Sequence, residues 1–389
     1  MSRTASLLLA AGLAVAAGFF LAPSRAWDLK VYAACARELG AGRDPYIRDV
    51  VIDDVPYPCM YPPLAIDLYR PVAALMDASP SLAVRTWNAL TVLLFLGMLL
   101  IWRRLFLGPG PDVLRLIFAL FTFGGPLFIV LRCGNGAAFE FLLIWSAFAL
   151  FAAGRDLSFS LTIAAAALIK LQPAGFLGLL LLRPRPAWRY FFLGVTAFLL
   201  LFGLNEVVHP GLLASFRARL ADPHEGWRWE RGPNNCAVLG FMQHLLETAW
   251  GDRARADLWA RRLFIPWALV ITGATGAALR RIWTVVKDEA AAKRATVLLG
   301  CAAYALLAPR FKDYSYFILI PSALAALESD IPNGLRVAIV ALAALDSTKS
   351  LAVSLGLGPW AILAGYFKMY ATVLVWGVLA FRPHRPHSL

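Results

Sequence analysis

Long stretches with no charged side chain, such as Leu90 to Ile101 and Val195 to Leu204, constrain this chain more than any other feature. Crossing the roughly 30 Å hydrocarbon core of a bilayer takes about 20 mainly apolar helical residues, because no water is there to satisfy the backbone. A membrane β-barrel would alternate apolar and polar positions in short segments, and these runs do not. With 60% hydrophobic and only 16% charged residues in 389, a soluble globular domain is excluded. The expectation is an all-α, polytopic integral membrane helical bundle.

Twelve apolar runs are readable, at 6–21, 82–101, 113–131, 137–153, 158–171, 174–182, 190–208, 263–279, 295–307, 314–327, 335–345 and 360–381. Several are shorter than a full span, notably the pair flanking Lys170 to Pro173, which could equally be one broken helix or a re-entrant hairpin. Arginine and lysine gather on alternate short connections, from Arg103 and Arg104 through Arg155, Arg183 and Arg280 to Arg382. Such clusters mark the cytoplasmic side, and the even number of runs then puts both termini inside. The first run followed by Ala22-Pro-Ser-Arg-Ala26 also has the form of a cleavable signal peptide; a retained first span keeps the charge alternation intact.

The chain reads as a single membrane domain, 1–389, with two long outer loops at 23–81 and 209–262. The first loop begins with a predicted helix over Trp27 to Leu39, stopped by Gly40-Ala41-Gly42 and followed by turn residues Arg43-Asp44-Pro45-Tyr46. Ala65 to Met76 is expected to form an interfacial helix.

The net charge of +13 does not point to nucleic acid, because the basic residues are dispersed over inter-span loops rather than gathered on one polar face. The five cysteines lack any CxxC or Cys/His spacing, and the five histidines have no ligand spacing, so no metal site or cofactor is expected. Cys35 and Cys59 share the first outer loop. A disulfide forms there if the loop faces an oxidising compartment, and two buried thiols are the alternative.

Polar residues inside or beside the apolar runs converge on the predicted outer side: Asp28, Asn135, Glu140, Lys170, Gln172, Asn234, Asn235, Arg310, Lys312 and Asp313. A charge in hydrocarbon costs on the order of 3 kcal/mol by insertion scales, so such groups are functional candidates. Asp28 also suits a structural role as a helix N-cap, worth about 1 kcal/mol. Lys170 breaks a run that is apolar on both sides, which favours a cation at a water-filled cavity over simple snorkelling. Arg310 and Lys312 precede another run, and two cations near one cavity suit a phosphate. Pairing of Arg310 with Asp313 would instead neutralise both.

In order along the chain stand Asp28-x3-Tyr32, Gly42-Arg-Asp-Pro-Tyr46, Tyr61-Pro-Pro-Leu64, Gly134-Asn-Gly136, Lys170-x2-Pro173, Asn235-x3-Leu239-Gly240 and Pro309 to Tyr314. This set resembles glycosyltransferase family 87, integral membrane enzymes of the GT-C fold. The resemblance implies a mannosyltransferase-like enzyme of the bacterial inner membrane. It would take a hexose from a polyprenyl-phosphate donor and pass it, with inversion, to a glycan or glycolipid acceptor on the periplasmic face. It makes Asp28 the catalytic base, sets Lys170, Arg310 and Lys312 near the donor phosphate, and makes Tyr32, Tyr61, Asn135 and Asn235 substrate contacts. The chain departs from the family pattern where members often carry Gln in the segment of Gly134 to Gly136, and Trp and His at the places of Lys312 and Tyr314. A transporter or flippase of lipid-linked sugars is the alternative from another class, since it too would collect charges at a broken helix.

Overall fold

A computed structural model describes residues 14, 16–17, 25–107, 112–221, 235–345 and 361–382. The first apolar run, its cleavage-site motif and Asn234 lie outside the described residues. The architecture is helical, with one two-stranded hairpin among the described residues. The chain divides into two compact units. The first holds residues 1–101, 127–181 and 187–224, and the second holds 102–126, 182–186 and 225–389.

In the first unit, helix α1 (Trp27–Gly40) opens the predicted outer loop, one residue longer than the sequence suggests. It buries Leu29, Tyr32, Ala33, Ala36 and Leu39, a spacing of three and four residues that forms one helical stripe. Gly42, at φ +71, takes the left-handed conformation that ends the segment, as its position after Gly40-Ala41 predicts. A hairpin of β1 (Val50–Ile52) and β2 (Val55–Tyr57) follows, antiparallel, with Val50 opposite Tyr57.

The expected helix over Ala65 to Met76 is instead two, α2 (Pro63–Asp67) and α3 (Arg70–Ala78), because each starts afresh at a proline in its first turn. The long helix α4 (Pro80–Ile101) then leads away.

Helix α6 (Pro126–Cys133) is joined by three residues to α7 (Ala137–Ala152), and α8 (Asp156–Ile169) returns beside it. The run at 174–182 is not an α-helix. A 3₁₀ helix spans Gln172–Leu180, and nine residues at about 2 Å each fall well short of a full span. The chain is thus broken at Lys170, whose backbone is extended (φ −152, ψ 128).

Helix α9 (Trp188–Val208) packs against α8, where the Ser160 hydroxyl bonds the Tyr190 carbonyl at 2.9 Å. At the other end of α9, the buried Asn205 accepts the Leu64 backbone N–H at 2.8 Å and so caps the first turn of α2 from outside its own sequence.

In the second unit, α12 (Arg253–Val285), α13 (Glu289–Leu307) and α17 (Phe367–Phe381) pack together. Indole N–H groups make polar ties inside this apolar packing: Trp376 to the Thr275 hydroxyl at 2.9 Å, and Trp267 to the Leu306 carbonyl at 3.2 Å. The run at 314–327 is split between a 3₁₀ turn (Asp313–Ile318) and helix α14 (Ile320–Glu328), again at a helix-starting proline, Pro321.

Among the described residues, four helices are long and apolar enough to cross a membrane, five if one bent pair counts as a single span. Four more apolar helices are shorter. Among the described residues, proline thus divides the runs around 172–180 and 313–328 into shorter pieces.

Candidate functional site

The site in the first unit is built around the connection between α6 and α7. Helix α6 ends with Gly134 at φ +70, and the N–H groups of Gly134 and Asn135 both return to the Val130 carbonyl, at 2.8 and 3.1 Å. That is a left-handed helix stop, in which one carbonyl accepts two successive N–H groups. The same turn lies directly on the first turn of α1. A Cβ on Gly134 would stand 2.8 Å from Leu29 Cβ, and one on Gly136 would stand 2.7 Å from the Tyr69 hydroxyl. The Ala26 N–H, just before α1, donates to the Arg132 carbonyl at 3.2 Å. Ala26 itself sits at φ 34, a conformation that costs a non-glycine residue about 1 kcal/mol or more.

This close fit delivers Asp28. The Asn135 side-chain carbonyl accepts the Ala137 N–H at 2.8 Å, which orients the amide so that its Nδ2 donates to Asp28 Oδ2 at 2.7 Å. Asp28 therefore is not the N-cap of its helix. The cap position is Ala26, without a side-chain bond, and Asp28 stands in the first turn. Its partner comes from 107 residues away.

One turn along α1, the Tyr32 hydroxyl accepts the Gly136 N–H at 3.2 Å and shares a 2.9 Å bond with the Tyr61 hydroxyl. Tyr32 stacks on Tyr69 with ring centres 4.4 Å apart and meets Tyr61 edge-on at 5.0 Å. Burial first, then the neighbouring Tyr61 and Asp28, push the Tyr32 phenol well above its usual range. Burial, followed by Glu140 and Asp28, raises Tyr69 as well. Both phenols stay protonated near neutral pH, so among these groups a proton acceptor has to be a carboxylate.

The second carboxylate is Glu140, in the first turn of α7 and almost fully buried. Lys170 Nζ lies 3.5 Å from its Oε2. Asn135 and Glu140 stand five residues apart at the start of α7, which brings the Asp28–Asn135 pair and the Glu140–Lys170 pair to the same end of that helix. Asp28, Tyr32, Tyr61, Asn135 and Lys170 thus all belong to the first unit. Tyr69 was missed as a candidate, and no spacing marks it out. Glu140 was visible as a charge in an apolar run, but its pairing with Lys170 was not.

Arg310, Lys312 and Asn235 belong to the second unit. Asn235 Oδ1 accepts the Phe311 N–H at 2.8 Å, and the Cys236 N–H donates to the Phe311 carbonyl at 3.2 Å. Both backbone groups of Phe311 are held, and its ring is buried. Asn235 positions that segment through its backbone. Asp313 is paired with Lys368, Nζ to Oδ1 2.7 Å. Lys368, with a side chain only 2% exposed, was overlooked although a lysine inside the run at 360–381 is itself a signal.

No group of three or more histidine, cysteine, aspartate or glutamate residues suited to a metal occurs among the described residues. Cys35 of α1 and Cys59 form a disulfide, with Cα atoms 6.1 Å apart.

The apolar helices and the buried polar region define a multi-pass membrane protein with a built carboxylate–amide site. The sequence profile of glycosyltransferase family 87 matches residues 60–309. The chain belongs to that family, and it is a glycosyltransferase. No curated protein matches it significantly. Among solved structures it is similar to ArnT from Cupriavidus metallidurans bound to undecaprenyl phosphate, at 16% identity and a TM-score of 0.44, covering 97% of this chain and 78% of that one.

Proposed function

We propose that this glycosyltransferase, of GT-C type, moves a hexose, mannose in the first instance, from a polyprenyl-phosphate sugar to an acceptor hydroxyl on the exterior face of the bacterial inner membrane. The observation that carries the reading is the Asp28–Asn135 contact of 2.7 Å at the head of α1, in which an oriented amide holds one carboxylate oxygen. Asp28 would take the acceptor's hydroxyl proton as the acceptor oxygen attacks the anomeric carbon. The bond from that carbon to the phosphate oxygen breaks, and the polyprenyl phosphate leaves with the electron pair. Attack opposite the leaving group inverts the configuration.

One carboxylate suffices because the phosphate departs as a stabilised anion and needs little protonation. A glycosidase would require two carboxylates flanking the scissile bond at a defined separation. Lys170, beside the break in its helix, would meet the donor phosphate. Tyr61, the half-buried member of the tyrosine cluster, would offer flat apolar surface to a sugar, with the buried Tyr32 and Tyr69 backing it.

The Cys35–Cys59 disulfide within the same unit supports an oxidising, exterior location for the site. With that location, the basic connections stay cytoplasmic.

The test supplies purified protein in lipid with radiolabelled polyprenyl-phosphate mannose and crude membrane acceptors. A new labelled glycolipid or glycan is the expected product. Movement of the donor across a liposome membrane without any new glycoside would overturn the reading. In the same assay Lys170→Ala is expected to raise the apparent KM for donor about ten-fold or more with a smaller effect on kcat, as loss of a charge-assisted contact implies. An unchanged KM would remove Lys170 from the phosphate site.

Gly134→Ala checks the framework that delivers Asp28. The added methyl meets Leu29 Cβ at 2.8 Å, where neither partner is a flexible chain end, and the backbone is at φ +70. A loss of about 2–4 kcal/mol is expected from left-handed strain plus overlap. A lowered thermal midpoint together with reduced transfer would show it, and a wild-type midpoint would contradict the packing.

A further inference from the structure

We propose that Glu140 is a built-in counter-charge on Lys170 that sets how strongly the site prefers a lipid phosphate monoester over a diester. The inference rests on the reading of Lys170 as a phosphate contact. Lys170 Nζ lies 3.5 Å from Glu140 Oε2, and the two side chains differ in access, 29% exposed for the lysine and 7% for the glutamate. An anion arriving from the open side therefore reaches the ammonium with the carboxylate behind it. Glu140 is fixed there by its place in the first turn of α7, while Lys170 stands at the broken end of α8.

The chemistry of the transfer makes this arrangement consequential. A polyprenyl-phosphate sugar is a phosphodiester with one negative charge. Once the sugar has left, the lipid carries a phosphate monoester, whose second ionisation near pH ~6 brings it to roughly −1.5 to −2 at neutral pH. A site made of cations alone holds the more charged product more tightly than the substrate, and turnover stalls on release. Repulsion from a nearby carboxylate scales with the charge on the ligand, so it weakens the product about twice as much on a logarithmic scale. Glu140 thus lowers affinity overall but shifts the balance towards the substrate. A residue that merely supported the fold would do neither.

The experiment measures binding of undecaprenyl phosphate and of its methyl diester to the full-length protein in nanodiscs, for the parent, Glu140→Gln, Glu140→Asp and Lys170→Ala. Glu140→Gln is expected to bind the monoester about ten-fold more tightly and the diester about three-fold more tightly, with Glu140→Asp close to the parent. In turnover the glutamine variant should show correspondingly stronger inhibition by undecaprenyl phosphate. If Glu140→Gln binds both lipids as the parent does, or more weakly, while Lys170→Ala loses affinity, the counter-charge is wrong and the phosphate role of Lys170 stands. If Lys170→Ala binds both lipids like the parent, the underlying reading fails and this inference with it. Should the glutamine variant not fold, Glu140→Met removes the charge at similar volume, and the same order of affinities is expected.

Discussion

Asp28→Asn is expected to lower kcat by about 10³-fold while leaving donor affinity within about two-fold of the parent. General-base assistance is typically worth 10²–10⁴ in rate, and asparagine cannot accept the acceptor's proton near neutral pH. The substitution is isosteric, and its amide oxygen can still accept from Asn135 Nδ2, which lies 2.7 Å from Asp28 Oδ2. The fold and the first turn of α1 should therefore survive.

A single-turnover assay with labelled donor, run beside direct binding of the same donor, separates the two effects. Asp28→Glu provides the complementary case, because the charge is kept but displaced by one methylene, and misplacement of about 1 Å can itself cost 10²-fold. Parent-like kcat for Asp28→Asn would take this carboxylate out of the chemistry. Equal losses of rate and donor binding would instead make it a binding residue.

The second large effect concerns the bridge under the site. Replacing Cys35 and Cys59 together by serine should destabilise the first unit by about 3 kcal/mol, the usual magnitude for a loop of this size. The bridge joins residues 24 apart in sequence. Cys35 lies seven residues beyond Asp28, two turns along the same face of α1. Cys59 precedes Tyr61 by two residues, and Tyr61 is tied back through its carbonyl to the Tyr46 hydroxyl at 2.7 Å and through its own hydroxyl to Tyr32 at 2.9 Å.

Losing the bridge therefore releases both sides of the tyrosine cluster. The thermal midpoint and the transfer rate are expected to fall together in the double variant and under a reductant that reaches the disulfide. A lowered midpoint with full activity would show that the hydrogen bonds alone hold Tyr61. No change in either would show that the bridge bears no structural load.

How much of this was legible beforehand depends on the reach of each interaction. The start of α1, its stop after Gly40 and the break at Lys170 follow from neighbours within a few residues, so local chemistry predicts them. Asp28 shows where that logic ends: its sequence context suits an N-cap, yet the cap position is Ala26, two residues earlier, and the carboxylate turns to Asn135. Lys170 was legible as a cation at a broken helix, but its partner is 30 residues back in another helix. Lys368 and Asp313, 55 residues apart, form a partly buried pair that no motif announces. Asn235 stood out by its motif, but the bond from the Phe311 N–H to its side chain, 76 residues away, has no local signal.

The sequence alone determined that this chain is helical and membrane-embedded, because a bilayer leaves so apolar a backbone few ways to satisfy its own N–H and C=O groups. It also determined which polar residues interrupt the apolar runs, since their desolvation cost makes each exception visible in one dimension. The tertiary structure decided which of those exceptions meet: Asp28 with Asn135, Glu140 with Lys170, Asp313 with Lys368. Such pairings depend on how helices far apart in sequence pack and on close approaches such as Gly134 on Leu29. No local propensity encodes a contact whose energy exists only once both partners have arrived.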